Sequence, residues 1–185
     1  MARKKISEYT AKRILTASLG LPYQGTSFSS HDDKKALAAL DKNQTYVVKV
    51  DEGVKKRMKQ GLVLLDVSAE HVEKAAKELF AKGYQHVIIE PFLKHASESE
   101  HYISLERTRE GMQLLYSNKG GIDIEDNSDS IKQVLITEKT ALGATALQIG
   151  VPEKFLKQLL DSFTTYHFSF LEINPLVIQE DTISL

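Results

Sequence analysis

The chain of 185 residues is 42% hydrophobic and 26% charged, a composition that supports a core of useful size and argues against disorder over the whole length. Its formal net charge of -1 gives no general attraction to nucleic acid or to anionic membranes, and no apolar run reaches the roughly 18 residues of a membrane helix. The absence of cysteine excludes disulfides, thiolate metal sites and cysteine nucleophiles, and the basic start lacks the apolar stretch of a signal peptide. We therefore expect a cytoplasmic protein with neither a nucleic-acid nor a membrane partner.

Apolar spacing, capping residues and β-branched runs predict the elements of the first half of the chain. The helices expected there are residues 7–18, which Ser7 caps and Gly20-Leu21-Pro22 stops, a short polar helix within 29–41, and a helix between Ser68 and Gly83 with one apolar face. The strands expected there are Thr45–Val50, Gly61–Asp66 and His86–Phe92, the last ending at a proline. A charged loop joins the first two strands.

The second half is predicted to contain further strands and one strong helix. The strands expected are Tyr102–Arg107, Met112–Ser117 and a final apolar strand, Phe168–Ile178, interrupted by Pro175. Residues 128–136 fit a helix or a strand equally well, and Pro152 opens a helix with regularly spaced apolar side chains. Because helices and strands mix without a regular β-α-β alternation, we expect an α+β fold in two lobes, with a hinge near residues 91–100.

A lysine on a predicted strand precedes a basic loop. Lys49 lies in the strand Thr45–Val50, and the loop after it contains Lys55, Lys56, Arg57 and Lys59. A lysine fixed on a strand can act as a point charge for a polyphosphate, and a basic loop can cover the remaining phosphate oxygens. The same pattern also fits an exposed, solvated loop, since charge runs usually mark such faces.

Glu172 and Asn174 are spaced to project from one face of a strand, with Ile173 turned into the core. A carboxylate and an amide oxygen suit Mg²⁺. A purely structural polar pair beside a turn is the alternative.

Three further features suit a nucleotide. The strand that ends at Glu90 and Pro91 can offer backbone groups to a base, and Glu100 a carboxylate to ribose hydroxyls; a strand terminator is the alternative. The turn at residues 118–123 has two glycines that permit close approach to a phosphate, although a hairpin turn explains them equally well. The order of these signals along the chain indicates a nucleotide site between two lobes.

The whole chain resembles a known family. The matching segments are ISEYTAKRIL, YVVKVDEGVKKRMKQGLV, VIIEPFLKHASESEHYISLERTREG, NKGGIDIED and FLEINPLVI. They resemble, in order, the ATP-grasp domain of the succinyl-CoA synthetase beta and ATP-citrate lyase family, with the greatest similarity to the N-terminal region of the ATP-citrate lyases. The resemblance implies an ATP-grasp fold of α+β class, with two lobes and the nucleotide site between them. It further implies that residues 1–185 form a single ATP-grasp domain, with 21–93 as an inserted smaller lobe and 1–20 plus 94–185 as the larger lobe, within a longer chain.

The same resemblance implies roles for individual residues and partners. It assigns ATP binding to Lys49, Lys56, Arg57, Met58, Glu90, Pro91, Leu93 and Glu100, and Mg²⁺ binding to Asn174 and Glu172. In this family ATP phosphorylates a histidine, the phosphoryl group passes to citrate or succinate, and CoA captures the acyl phosphate. We therefore expect an ATP-dependent CoA ligase of the ATP-citrate lyase type, oligomeric when complete, whose CoA-binding and histidine module is an alpha-type subunit or domain.

Three departures from the family pattern define an alternative. Met58 stands where the family loop carries a glycine, and Lys119 stands where the family turn carries a glutamate. The second metal-binding carboxylate of the family would follow Leu185. These departures are compatible with a catalytically incomplete ATP-grasp module that has a nucleotide-sensing or assembly role.

Overall fold

A computed structural model describes residues 4–121, 128–179 and 182–185. The helices are α1 (Glu8–Leu19), α2 (Val72–Ala81), α3 (Leu142–Ile149) and α4 (Glu153–Thr165). The strands are β1 (Thr26–Ser29), β2 (Thr45–Val50), β3 (Val63–Ser68), β4 (His86–Pro91), β5 (Glu100–Arg107), β6 (Met112–Ser117), β7 (Lys132–Ile136), β8 (Phe170–Gln179) and β9 (Thr182–Ser184). Helices and two antiparallel sheets confirm the predicted α+β class.

The chain divides into two compact units. Unit 1 consists of Met1–Ile14 and Pro22–Lys94, and unit 2 of Leu15–Leu21 and His95–Leu185. The first 14 residues therefore group with unit 1, whereas the sequence-based expectation placed them in the larger lobe. The difference has a local cause, because the carboxylate of Asp51 accepts the N–H groups of Glu8 and Tyr9 at the start of α1. These hydrogen bonds attach the start of the helix to unit 1.

Unit 1 contains a four-stranded antiparallel sheet in the order β1-β4-β2-β3, with α2 packed against it. Along β2 the side chains alternate, so that Tyr46, Val48 and Val50 enter the core while Lys49 points to the other face. Val47 lies opposite Glu90, and Lys49 opposite Ile88. Lys49 and Glu90 are thus diagonal neighbours on the face away from the core, close enough for long side chains to meet.

Unit 2 contains a five-stranded antiparallel sheet in the order β7-β6-β5-β8-β9. Its core combines apolar side chains of α3, α4, the end of α1 and one face of the sheet. On β8, Leu171 and Ile173 are buried in this core, whereas Glu172 and Asn174 alternate with them. The Asn174–Pro175 peptide bond is cis.

Several predicted elements differ from those observed. The polar helix expected within 29–41 is reduced to the end of β1 and a 3-10 turn at Lys34–Leu37. The ambiguous segment 128–136 contains a 3-10 turn followed by β7, and α3 was not predicted. β8 continues past Pro175, but its pairing with β5 shifts register between Ile173 and Leu176, as the predicted interruption at this proline requires. Within the described ranges, each helix is too short or too polar to cross a bilayer.

Candidate functional site

Lys49 lies at the centre of a network of charged side chains in unit 1. Its Nζ is 2.5 Å from Oε1 of Glu8 and 2.7 Å from Oε2 of Glu90. The strand alternation described above explains why this ammonium leaves the core and meets Glu90. Glu8 comes from the first residue of α1, 41 positions earlier in the chain.

Two further cations complete this network, which we call the charged cluster: Glu8, Lys12, Lys49, Arg57 and Glu90. Lys12, one helical turn after Glu8, donates to both carboxylate oxygens of Glu90 at 3.0 Å. Arg57 donates through Nη2 to Oε2 of Glu8 and through Nη1 to the carbonyl of Val50 at 2.6 Å. The five side chains are between 11% and 25% exposed.

The electrostatics of the charged cluster keep both carboxylates ionised. Burial opposes their charged forms, but the attraction of Lys49 and Lys12 outweighs it and lowers the pKa of Glu8 and of Glu90. Burial also opposes the charge on Lys49, yet its two carboxylate partners raise the pKa of this lysine. The pKa of Lys12 is lowered, because burial and the neighbouring ammonium of Lys49 disfavour its charge.

In the charged cluster, three basic side chains, Lys12, Lys49 and Arg57, converge on the two carboxylates of Glu8 and Glu90. Asp51 is close by, but its two oxygens accept backbone N–H groups at the start of α1, where the helix end carries a partial positive charge. Partly buried basic side chains that converge on one place are suited to binding an anion.

Four other residues expected at the nucleotide lie elsewhere in unit 1. Lys56 has a positive φ of 53° in the loop after β2, and Met58, in the same loop, accepts the N–H of Gly61 through its carbonyl at 3.1 Å. Pro91 ends β4 opposite Tyr46, and Leu93 follows as an exposed side chain. The carbonyl of Lys56 also accepts the N–H of Gln60 at 3.2 Å.

In unit 2, the structure brings Asn174 to the glycine turn. Its Oδ1 accepts the N–H of Gly121, and its Nδ2 donates to the carbonyl of the same residue. Glycine is required here, because φ of Gly121 is +86° and a Cβ would overlap Oε2 of Glu100. Residues 122–123, the rest of the predicted turn, lie outside the described residues.

Glu100 is held beside this turn. Its Oε1 lies 2.9 Å from Nε2 of His95, and its carbonyl accepts the N–H of Gly120 at 2.8 Å. Glu100 and Asn174, which the sequence analysis assigned to ribose and to metal, therefore both contact Gly121. We call Glu100, Gly121 and Asn174 the unit 2 cluster.

Glu172 shares the solvent-side face of β8 with Asn174 and lies opposite Ser104 on β5. The hydroxyl of Tyr102, which donates to Ser104 at 3.0 Å, is adjacent to Glu172; burial and this carboxylate raise the pKa of Tyr102. No group of three or more His, Cys, Asp or Glu side chains suited to a metal occurs in the described parts of the chain. One carboxylate and one amide oxygen on a common face fit Mg²⁺, which takes few protein ligands and completes its octahedron with phosphate and water oxygens.

A family model for the ATP-citrate synthase ATP-grasp domain matches residues 2–185. The chain belongs to this family. The resemblance identified from sequence motifs is thereby confirmed, as is the ATP-grasp fold.

Named relatives of this ATP-grasp domain are longer proteins. The chain is 31% identical over 206 residues to the ATP-citrate synthase alpha chain protein 2 of Arabidopsis thaliana, covering 96% of this chain and 48% of that protein. It is 28% identical over 212 residues to the ATP-citrate synthase of Mus musculus, covering 99% of this chain and 19% of that protein. The chain thus spans about half or less of the curated relatives it matches.

Solved structures share the fold of this ATP-grasp domain. The ATP citrate lyase of Methanothrix soehngenii, in complex with citrate and coenzyme A, superposes with a TM-score of 0.75 at 23% identity, over 98% of this chain and 49% of that chain. The dinucleotide-forming acetyl-coenzyme A synthetase 1 of Ca. Korarchaeum cryptofilum, in complex with coenzyme A, Ca-AMPCP and HgCl+, gives 0.70 at 17% identity, over 95% and 88%.

Sequence reasoning about this ATP-grasp domain missed Glu8 and Lys12. Their spacing of four residues in a predicted helix was a signal of a side-chain pair on one helix face, and both lie in a segment that matches the family. It did not indicate that the pair belongs with Lys49, because that contact depends on how α1 packs.

Proposed function

We propose that this ATP-grasp domain binds MgATP and holds the γ-phosphoryl group for transfer to a histidine on a partner module, in the reaction series that leads to an acyl phosphate and acyl-CoA. The observation that carries the proposal is the charged cluster, which places Lys49 and Arg57 on the two oxygens of a single carboxylate. The family match supports the nucleotide as the anion.

Lys49 and Arg57 are the residues we assign to the phosphates. A fixed ammonium and a planar guanidinium neutralise the charge on phosphoryl oxygens without rearranging during the reaction. Glu90 holds the ammonium of Lys49, and Lys12 holds Glu90 through both carboxylate oxygens. Lys56, Met58, Pro91 and Leu93 would contribute backbone or apolar contacts to the nucleotide.

Unit 2 contributes the remaining assigned groups. Glu100 would accept hydrogen bonds from the ribose hydroxyls, exchanging its His95 contact for them. Asn174 and Glu172 would hold Mg²⁺ through one oxygen each. The bound metal supplies additional neutralisation of phosphate charge.

The chemistry beyond nucleotide binding requires a second protein module. Among the residues assigned here, none is a nucleophile, so this chain acts by positioning and charge neutralisation. We assign the phosphorylated histidine and the CoA site to a partner subunit or domain, with citrate or succinate as the acid. The Arabidopsis thaliana relative, which is described as an alpha chain, supports a multi-chain assembly.

Thermal unfolding with nucleotide tests the proposal directly. A ligand at one hundred times its Kd adds about 2.7 kcal/mol, which for a chain of this size raises Tm by roughly 5–10 °C. We expect such a rise with MgATP and a smaller rise with ATP plus EDTA, and MgGTP measures base selectivity. No rise at millimolar MgATP would overturn the proposal.

Substitution of Asn174 tests whether this residue holds the Mg²⁺ of MgATP. Asn174→Ala is expected to abolish the difference between MgATP and ATP plus EDTA, because it removes a metal ligand. Asn118→Ala, an exposed asparagine in the same unit, is the matched control and is expected to retain the wild-type difference.

The catalytically incomplete module is the second candidate, favoured by Met58 and Lys119. It predicts a rise in Tm with MgATP without phosphoryl transfer. Incubation of the chain with γ-³²P-labelled ATP and the part of the Mus musculus ATP-citrate synthase that lies outside the matched region separates the two. Label on this partner fragment supports the enzyme, and MgATP binding without label favours the sensing or assembly role.

A further inference from the structure

Glu8 pairs with Lys49 and Arg57, the two cationic side chains that the proposed function assigns to the phosphates. Its Oε1 lies 2.5 Å from Nζ of Lys49, and its Oε2 accepts Nη2 of Arg57. A single carboxylate therefore bridges the ammonium and the guanidinium in the way that two oxygens of one phosphoryl group would.

The position of Glu8 is set by the backbone. It is the first residue of α1, and its N–H donates to Oδ1 of Asp51 at 2.6 Å. Asp51 directly follows β2, the strand that carries Lys49. The hydrogen bond between Glu8 and Asp51 therefore joins the start of α1 to the end of β2. This contact places the Glu8 side chain beside Lys49.

Phosphate and Glu8 compete for the same donors. Lysine has three N–H donors, and Lys49 directs two of them to Glu8 and Glu90. Arg57 directs one terminal nitrogen to the carbonyl of Val50 and the other to Glu8. A phosphoryl group that accepts from the same N–H groups of Lys49 and Arg57 takes the place of the Glu8 carboxylate.

Glu8, rather than Glu90, is the carboxylate that can leave. Glu90 is 11% exposed and is also held by Lys12 through both oxygens, whereas Glu8 is 25% exposed. Lys12 lies 3.6 Å from Glu8 and 3.0 Å from Glu90, so Glu90 keeps two cations when Glu8 turns away.

We propose that Glu8 is an internal competitor for the nucleotide phosphates: it bridges Lys49 and Arg57, and the phosphates displace it when they bind. This inference rests on the proposed function and adds to it a residue that sets phosphate affinity. If Glu8 has only a structural role, its substitution should weaken MgATP binding. If Glu8 competes with the phosphates, its substitution should tighten MgATP binding while making the protein less stable.

Glu8→Gln in the full chain separates these outcomes. It keeps the size of the side chain and removes its charge, and we expect the Kd for MgATP to fall by about 10-fold while Tm also falls. Inorganic tripolyphosphate, which lacks base and ribose, is expected to gain affinity as well. The matched control is Glu73→Gln, which removes a partly exposed carboxylate of unit 1 that also pairs with two lysines, Lys34 at 2.9 Å and Lys77 at 2.6 Å.

The results separate this inference from the proposed function. If the wild type binds MgATP and Glu8→Gln binds it no more tightly, the inference that Glu8 competes with the phosphates is overturned and the proposed function stands. If neither protein binds MgATP, both are overturned. Binding seen only in Glu8→Gln supports the competitor.

A measurement on the wild type covers the case in which Glu8→Gln does not fold. The ¹³C resonance of the Glu8 carboxylate, assigned with the charge-keeping variant Glu8→Asp, is followed during titration with tripolyphosphate. Displacement from Lys49 and Arg57 is expected to shift this resonance in step with binding. An unchanged resonance at saturation would overturn the inference.

Discussion

Asn174 forms hydrogen bonds with both backbone polar groups of Gly121, 53 residues earlier in the chain. Its Oδ1 accepts the N–H at 2.7 Å, and its Nδ2 donates to the carbonyl at 3.1 Å. The side-chain amide thus satisfies a buried glycine as a neighbouring strand would. The proposed metal ligand therefore also fixes the turn beside Glu100.

Replacement of Asn174 by alanine is expected to destabilise unit 2. The change leaves the buried N–H of Gly121 without its acceptor, which costs about 1–3 kcal/mol. The midpoint of urea unfolding measures the loss. Asn118→Ala, at an exposed position, is expected to stay within about 0.5 kcal/mol of the wild type; an equal loss in both would contradict the prediction.

Gly121→Ala is expected to disrupt the unit 2 cluster. The residue has a positive φ and its Cβ would overlap the carboxylate of Glu100, so strain and collision act together. Gly20→Ala is the matched control, since Gly20 also has a positive φ, +67°, but no atom within 4 Å of the added Cβ. We expect Gly20→Ala to lose about 1 kcal/mol from backbone strain and Gly121→Ala clearly more.

Lys49→Met is expected to destabilise unit 1. The substitution keeps the apolar stem but leaves Glu8 and Glu90 without their shared cation, and removal of one partner from a buried ion pair costs about 3–5 kcal/mol. Lys77→Met removes a 2.6 Å pair with Glu73 at the surface, for which we expect a loss of about 0.5 kcal/mol or less. Similar Tm values for the two variants would show that the charged cluster is not a stabilising network.

Acidification is expected to destabilise the protein through His101. Burial lowers the pKa of this histidine, so the unfolded chain binds the proton more readily than the folded chain. The stabilising contribution of neutral His101 to the free energy of unfolding is complete above about pH 6.5, the pKa of a histidine in the unfolded chain. This contribution is lost as the pH falls below that value. The pKa values of Glu8 and Glu90 are also lowered in the folded protein, so the stability that these ionised carboxylates contribute is lost at a lower pH than that of His101.

Urea unfolding at pH 7.5 and 5.5 checks the His101 prediction. His101→Gln cannot take up the proton, so we expect a smaller difference between the two pH values than in the wild type. His31→Gln, at an exposed position, is the control and is expected to keep the wild-type difference. A wild-type profile in His101→Gln would contradict the assignment.

Local patterns predicted much of the fold because their causes are local. The β-branched run of β2 was predicted with its observed bounds, and the alternation in β8 correctly turned Ile173 into the core. The pattern failed where the local signal was weak. α3 is a short helix with a glycine near its start, and the segment around β7 was equally compatible with helix and strand.

Strand periodicity and motif order are properties of neighbouring residues, so the sequence alone established the fold class, the family, the strand that carries Lys49, and the common face of Glu172 and Asn174. Only the tertiary structure decided their partners. Glu8 reaches Lys49 across 41 positions and Asn174 reaches Gly121 across 53, and such contacts depend on how helix and strands pack rather than on any local propensity. The donors that the sequence assigned to phosphate therefore proved to be already bridged by a carboxylate that no motif had connected to them.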